Sequence, residues 1–295
     1  MYNYVRPSSF AAKSAREIEI KFLLTELYGL SIKSDQVSLL DVGFAGAGYI
    51  EPILEFGNID YTGLDGDSKR IQGEALLIPE RSKKHQSKEK WRNLLNKIKY
   101  IEANILDYDS DVLYDIVISI SAIEHIVAMG YSCNNEFDLF GDIRAVDRMK
   151  KLVKKDGHLL LTFPCGKERI LSPEENFRDK LKDTPLENKW IRHRYRALIY
   201  NEDRIGMLIG DWKVVKERYW TDSGKGFEEC EKTVACAVEQ KSSDQTVRSQ
   251  CALLLKLRFE NPRFQSRRDE KSLHKAGRVR INAQRDHVLE DGSVN

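Results

Sequence analysis

The stretch from Asp41 to Gly48, DVGFAGAG, holds one carboxylate followed by three glycines and two alanines. A turn made of Gly43, Ala45, Gly46, Ala47 and Gly48 has almost no side chain. A ligand can lie against such a backbone, and the amides at the start of the next helix favour negative charge or a polar group. About 20 residues on, Asp65 closes a second apolar run in GLDGD, where a carboxylate can accept both hydroxyls of a ribose. The pair points to an adenosine-bearing cofactor. Two plainer readings stay open beside it: GxxGxG as a tight turn and nothing more, and Asp65 as the cap of a helix over SKRIQGEALL, a task open equally to Asp67 or Ser68.

Residues so placed need strands to end beside one another. Five short apolar runs supply them: VSLLDVG (37–43), IDYTGLD (59–65), IKYIEA (98–103), YDIVISIS (114–121) and GHLLLTFP (157–164). Each is bounded by Gly, Asp, Asn or Pro and separated from the next by room for a helix, the alternation of βα units around a parallel sheet. FGDIRAVDRMKKLVKKDG is the clearest crossover helix, with Ile143, Val146, Met149, Leu152 and Val153 on one face. Two more strands are expected at 212–220 and 232–241; the eleven residues between them are too few for a helical crossover, so they should pair antiparallel. Upstream, Phe10, Ile18, Ile20, Phe22, Leu23 and Leu27 mark an amphipathic opening helix stopped by Gly29, which packs on the sheet or covers a site. Three divisions result: a helical segment at 1–36, a cofactor-binding domain at 37–241, and a polar, partly disordered tail at 242–295, in which CALLLKLRF could be one more short element.

Composition narrows the class. The chain has 295 residues, 41% hydrophobic and 32% charged, enough for one large domain. A net charge of +2 is too balanced to argue for nucleic acid or membrane. Cys133, Cys165, Cys230, Cys236 and Cys251 form no CxxC pair and no zinc spacing, so they read as reduced thiols and no metal is expected. With neither an export signal nor an apolar span, the expected location is the cytoplasm.

In these blocks the chain resembles the class I S-adenosylmethionine-dependent methyltransferases, over about Glu17 to Lys241 by the order and spacing of the motifs. The resemblance implies an α/β, Rossmann-like three-layer sandwich whose seven-stranded, mostly parallel sheet ends in an antiparallel hairpin, order 3-2-1-4-5-7-6. It implies that DVGFAGAG holds the methionine end of S-adenosylmethionine and that Asp65, with Gly66, binds the ribose. Ala103-Asn104 replaces the usual Gly-Asp near the adenine, with Asn104 able to accept from an exocyclic amine through its side-chain carbonyl. Asp41, Ile105, Ser119, Ser121 and Glu124 complete the implied cofactor set. SISAIEHI and LVKKDGHLLLTFPCGK match the family's fourth- and fifth-strand blocks, and the segment from FPCGKERI onward resembles a branch acting on small molecules and sugars.

Methyl transfer is an in-line substitution that mainly needs alignment, with a base useful for a hydroxyl acceptor. His125, past the fourth strand, is that candidate base; orienting its loop is the alternative. Tyr131, in AMGYSCNNEFDLFGD, belongs to a substrate wall or else to a connector that caps the core. Arg194 and Tyr195, within RHRYR, suit an anionic or hydroxylated acceptor, or else a solvated helix face. The basic run at 80–99 reads as a helix beside the adenine, with RNA binding as the sharper alternative. The leading function is methyl transfer to a small hydroxylated or sugar-type acceptor. RNA or protein methylation, a non-catalytic binding module and a nicotinamide oxidoreductase stand as the competing classes.

Overall fold

Alternate residues of the central strands face opposite sides, and both sets are apolar. Leu40, Val117, Leu159, Leu161, Leu253 and Leu255 fall in one buried cluster, while Leu39, Ile116, Ile118, Leu160, Ala252 and Leu254 fall in another. A sheet apolar on both faces must be covered on both. The computed structural model of the chain describes residues 14–32, 35–44, 49–68, 71, 98–126, 138, 140–167, 169–171, 197–239 and 249–257.

Five parallel strands form the half of the sheet expected from the apolar runs: β1 (Val37–Val42), β2 (Ile59–Asp65), β3 (Lys99–Glu102), β4 (Tyr114–Ile120) and β5 (Val153–Pro164), in the order β3-β2-β1-β4-β5. Beyond β5, β6 (Arg169–Leu171) and β7 (Ala197–Ile199) make a separate antiparallel ribbon. The main sheet continues with β8 (Lys213–Asp222), β9 (Phe227–Cys230) and β10 (Ser249–Lys256), giving eight strands in the order β3-β2-β1-β4-β5-β10-β8-β9.

Count and order differ from the seven-stranded expectation, and the difference has two causes. Residues 232–241, expected to be a strand, contain a short helix, Lys232–Ala237. Val234 in it is exposed and only Ala235 is fully buried, so the period-two apolar face of a strand is missing. The hairpin partner of β8 is instead β9, which starts only five residues after β8 ends and pairs Asp222 with Phe227. The second cause is β10. Assigned by its surroundings to the tail, it lies between β5 and β8, antiparallel to both. Its unbroken run Cys251–Leu255 is apolar because neither face meets water. The domain boundary expected at Lys241 therefore cuts through the sheet. The chain divides into two units, Met1–Arg258 and Phe259–Asn295, the second lying outside the described residues.

Helices cover both faces. On one side lie α1 (Ala15–Ser31) and α2 (Ile50–Leu54), which bury Phe22, Leu23, Leu27, Ile50, Ile53 and Leu54. The Ser14 side chain caps α1 by accepting from Glu17 N–H at 3.3 Å, and the helix runs through Gly29 rather than stopping there. Following α3 (Ile123–Ile126), the other side carries α4 (Gly141–Lys151), α5 (Glu202–Ile209) and α6 (Lys232–Ala237), with Ala145, Val146, Met149, Ile205, Leu208 and Ala235 buried. A buried ion pair joins α4 to α5: Arg204 donates from Nε to Asp142 at 3.0 Å and from Nη2 at 2.7 Å, with the Phe140 and Tyr200 rings about it. No described helix is long and apolar enough to cross a membrane.

Candidate functional site

Parallel strands all end at one edge, and the chemistry-bearing residues gather there. The register pairs Val42 of β1 with Leu64 of β2, and Gly43 N–H donates to the Leu64 carbonyl at 2.8 Å, so Gly43 and Asp65 stand side by side. Gly43 has φ +77°, and a Cβ there would stand 2.5 Å from the Ala122 Cβ. Only glycine fits, both for its backbone and for the close passage of the loop after β4.

Asp65 is buried, 7% exposed, and its Oδ1 accepts from Asp67 N–H at 2.9 Å. That is a local Asx turn. The helical turn after it begins at Asp67, whose carbonyl accepts from Ile71 N–H at 3.1 Å. Next along the edge, Ala103 N–H donates to the Asp65 carbonyl at 3.1 Å, which brings Gly66 and Asn104 together. The Asn104 side-chain oxygen accepts from Leu106 N–H at 3.1 Å, so the carbonyl expected to face an adenine amine already shapes its own turn.

Asp41, Ile105 and Ser119 offer a ligand almost no surface. Asp41 is fully buried and receives hydroxyl hydrogen bonds from Tyr49 at 3.2 Å and Tyr61 at 2.6 Å. Burial lifts its carboxyl to about 7 against the pull of the two tyrosines. It fastens α2 and β2 to the end of β1. Ser119 is likewise buried and donates to the Val42 carbonyl at 3.0 Å, while Ile105 belongs to the core. Any part these three play is through the backbone they brace.

The end of β4 is more open to chemistry. Ser121 sits at φ +46°, a left-handed conformation uncommon outside glycine. Its N–H donates to the Thr162 carbonyl at 3.0 Å and its hydroxyl to Glu19. Two residues into the next turn, Glu124 is 4% exposed and its Oε2 has no hydrogen-bond partner among the described residues. Burial pushes its carboxyl up to about 8, so it stands protonated at neutral pH, an acid able to donate. His125 Nε2 lies 4.0 Å from the Glu124 carboxylate, and its side chain is 24% exposed.

Sequence reasoning missed the residues that hold this edge from the opposite side. Glu19, on α1, is buried and accepts from Thr162 at 2.6 Å and from the side chains of Ser121 and Gln250. Arg16, one turn earlier, reaches Glu19 at 3.3 Å and the Ile120 carbonyl at 3.4 Å, and its guanidinium stands 5.6 Å from the Tyr49 ring centre. A signal for Glu19 existed: it precedes Leu23 by four residues, an acidic side chain on the apolar stripe of the helix. Nothing local marks Tyr49 or Tyr61 as partners of Asp41. Ala45, Gly46, Gly48, Tyr131, Arg194, Tyr195 and nearly all of the basic run at 80–99 lie outside the described residues.

Residues 71–178 match a family described as Caenorhabditis protein of unknown function, DUF268. A comparison with curated proteins finds no match. Among solved structures, the chain is similar to the N-methyltransferase NodS from Bradyrhizobium japonicum WM9 in complex with S-adenosylhomocysteine, at 15% identity over 83% of this chain and 88% of that one, TM-score 0.43. It is also similar to the CcbJ methyltransferase from Streptomyces caelestis, at 11% identity over 83% and 90%, TM-score 0.47. A third is the 1,6-didemethyltoxoflavin-N1-methyltransferase of Burkholderia thailandensis, at 11% identity over 83% and 80%, TM-score 0.45.

Proposed function

We propose that the protein is an S-adenosylmethionine-dependent methyltransferase acting on a small hydroxylated or sugar-type acceptor. The observation that carries this reading is the pairing of Gly43 with Asp65 at the ends of two hydrogen-bonded parallel strands. A ligand laid across that edge meets bare backbone on one strand and a carboxylate on the next, which suits a ribose with a polar chain attached. The site also fits the cofactor in its electrostatics: the orphaned Glu124 Oε2 lies at the same edge, and Arg16 brings a cation close to Asp41 and Glu124. When bound, S-adenosylmethionine supplies a methyl group already attached to its leaving group.

The chain's own residues then have defined tasks. Asp65 accepts the ribose hydroxyls, and the Gly66–Asn104 contact closes the adenine side. Ser121 and Glu124 line the edge of β4. His125 would take up the proton of an acceptor hydroxyl. The described residues of this site fall in the unit ending at Arg258, with α1 as their cover.

Calorimetry with S-adenosylhomocysteine and with NAD tests the reading. Binding of the first without the second is expected; no binding of S-adenosylhomocysteine, or binding of NAD in its place, overturns it. Turnover of hydroxylated small molecules with labelled cofactor then separates an enzyme from a binding module.

A further inference from the structure

The four described cysteines, scattered along the sequence, are gathered by the fold. Cys165 and Cys251 belong to the buried core on the α4 side of the sheet, and Cys230 and Cys236 pack against that same core. Cys165 follows β5 directly, and Cys236 is in the last turn of α6. The two segments run alongside each other. Lys167 N–H donates to the Val238 carbonyl at 2.9 Å, and Gly166 passes so close that a Cβ on it would stand 2.6 Å from that carbonyl oxygen. Across this seam Cys165 and Cys236 are neighbours, each close enough to shift the acidity of the other.

The thiols have unlike surroundings. Cys165 is 2% exposed and Cys251 fully buried, and burial raises the pKa of both. Burial also raises that of Cys230. Cys236 is half-buried, and the neighbouring Cys165 thiol, helped by the Lys232 ammonium of its own helix, lowers its pKa against burial, Glu202 of α5 and Glu217 of β8. Metal binding does not account for the cluster: among the described residues no group of three or more His, Cys, Asp or Glu is placed to hold an ion.

We propose that Cys236 is an oxidant-reactive thiol and Cys165 its resolving partner, the two closing a reversible disulfide in the presence of a peroxide. The thiol pair is independent of the strand-edge site and of any cofactor held there. In the first step the Cys236 thiolate attacks a peroxide oxygen, the O–O bond breaks, and hydroxide leaves and is protonated to water. The product is a sulfenic acid on Cys236. In the second, Cys165 loses its proton, its sulfur bonds to the Cys236 sulfur, and the sulfenic hydroxyl departs as a second water. Two thiols lose two electrons, and one hydrogen peroxide becomes two waters. Bulk oxidant cannot reach Cys165, so only Cys236 can start the sequence. The resulting bridge would pin α6 to the segment leaving β5.

The full chain, treated with hydrogen peroxide and digested without reductant, should yield one cross-linked peptide pair joining Cys165 to Cys236. Dithiothreitol should release it, and C236S should lack it. Before oxidation, iodoacetamide at neutral pH should label Cys236 about tenfold faster than Cys230, in line with its larger thiolate fraction. In C165S, and in C165A should the serine disturb the core, dimedone should trap a Cys236 sulfenic acid that the parent protein does not accumulate. A Cys236 bridge to Cys230 or Cys133, a Cys236 recovered only as sulfinic acid, or an unmodified Cys236 would each overturn the proposal.

Discussion

Glu19 of α1 accepts a 2.6 Å hydrogen bond from Thr162 of β5, joining residues 143 apart in the chain. The same carboxylate takes Ser121 and Gln250, so one buried side chain ties the opening helix to the ends of β4, β5 and β10. Glu19→Ala strands these donors without an acceptor. A loss on the order of 3–5 kcal/mol is expected, read as a lower urea midpoint with an unchanged denaturant slope.

Gly43→Ala combines a strained backbone with an overlap against Ala122. The expected loss is about 2–4 kcal/mol. Adding Ala122→Gly removes the overlap and leaves the φ penalty, so the double variant should be more stable than the sum of the singles by at least about 1 kcal/mol in a double-mutant cycle. Additive losses would show that the contact carries no energy.

Glu124 gives stability a pH signature. Its folded carboxyl titrates at about 8 against an ordinary 4.5. The protonated group's contribution is fully present below the lower value and is lost as pH rises through the upper one, at about 1.4 kcal/mol for each pH unit between them. Glu124→Gln, which cannot ionise, should therefore gain on the parent protein from pH 5 to pH 9 (about these values). Thermal unfolding across that range checks it, and parallel curves would place the orphaned carboxylate in water.

Asp65→Ala should weaken S-adenosylhomocysteine by roughly tenfold to a hundredfold, the worth of hydrogen bonds to a charged acceptor. The accompanying loss of the bond from Asp67 should cost the fold about 1 kcal/mol. Native affinity in a folded Asp65→Ala protein would remove the carboxylate from the ligand site.

Ending the chain after Arg258 should leave a cooperative unfolding transition, whereas ending it after Lys241 removes β10 and splits the sheet between β5 and β8. Circular dichroism and thermal unfolding distinguish the two. A native-like melt for the shorter chain would mean that β8 can pair with β5 directly.

The first five strands were legible because each is an apolar run closed by a turn residue, and parallel strands buried on both faces write themselves that way. Their shared edge followed, and with it the placement of Asp65 beside Gly43. What stayed hidden depended on partners distant in sequence. Cys251–Leu255 has the same apolar character as β5, yet among polar neighbours it read as an appendage, since nothing local shows that a gap between β5 and β8 awaits it. KTVACA reads as a strand by its Thr and Val; tertiary packing of Ala235 made it a helix. Asp41 looked like a ligand residue until Tyr49 and Tyr61 closed on it, and the thiols looked dispersed until β10 and α6 converged.

The interior position of β10 also has a meaning during synthesis. A strand that sits between two earlier ones cannot be threaded until Lys256 has left the ribosome, so the β8–β9 hairpin emerges with one side unpaired and waits for its inner neighbour. Closure of the sheet is thus a late event that joins distant parts of the chain, and an open β5 edge is what a chaperone would meet on the nascent protein.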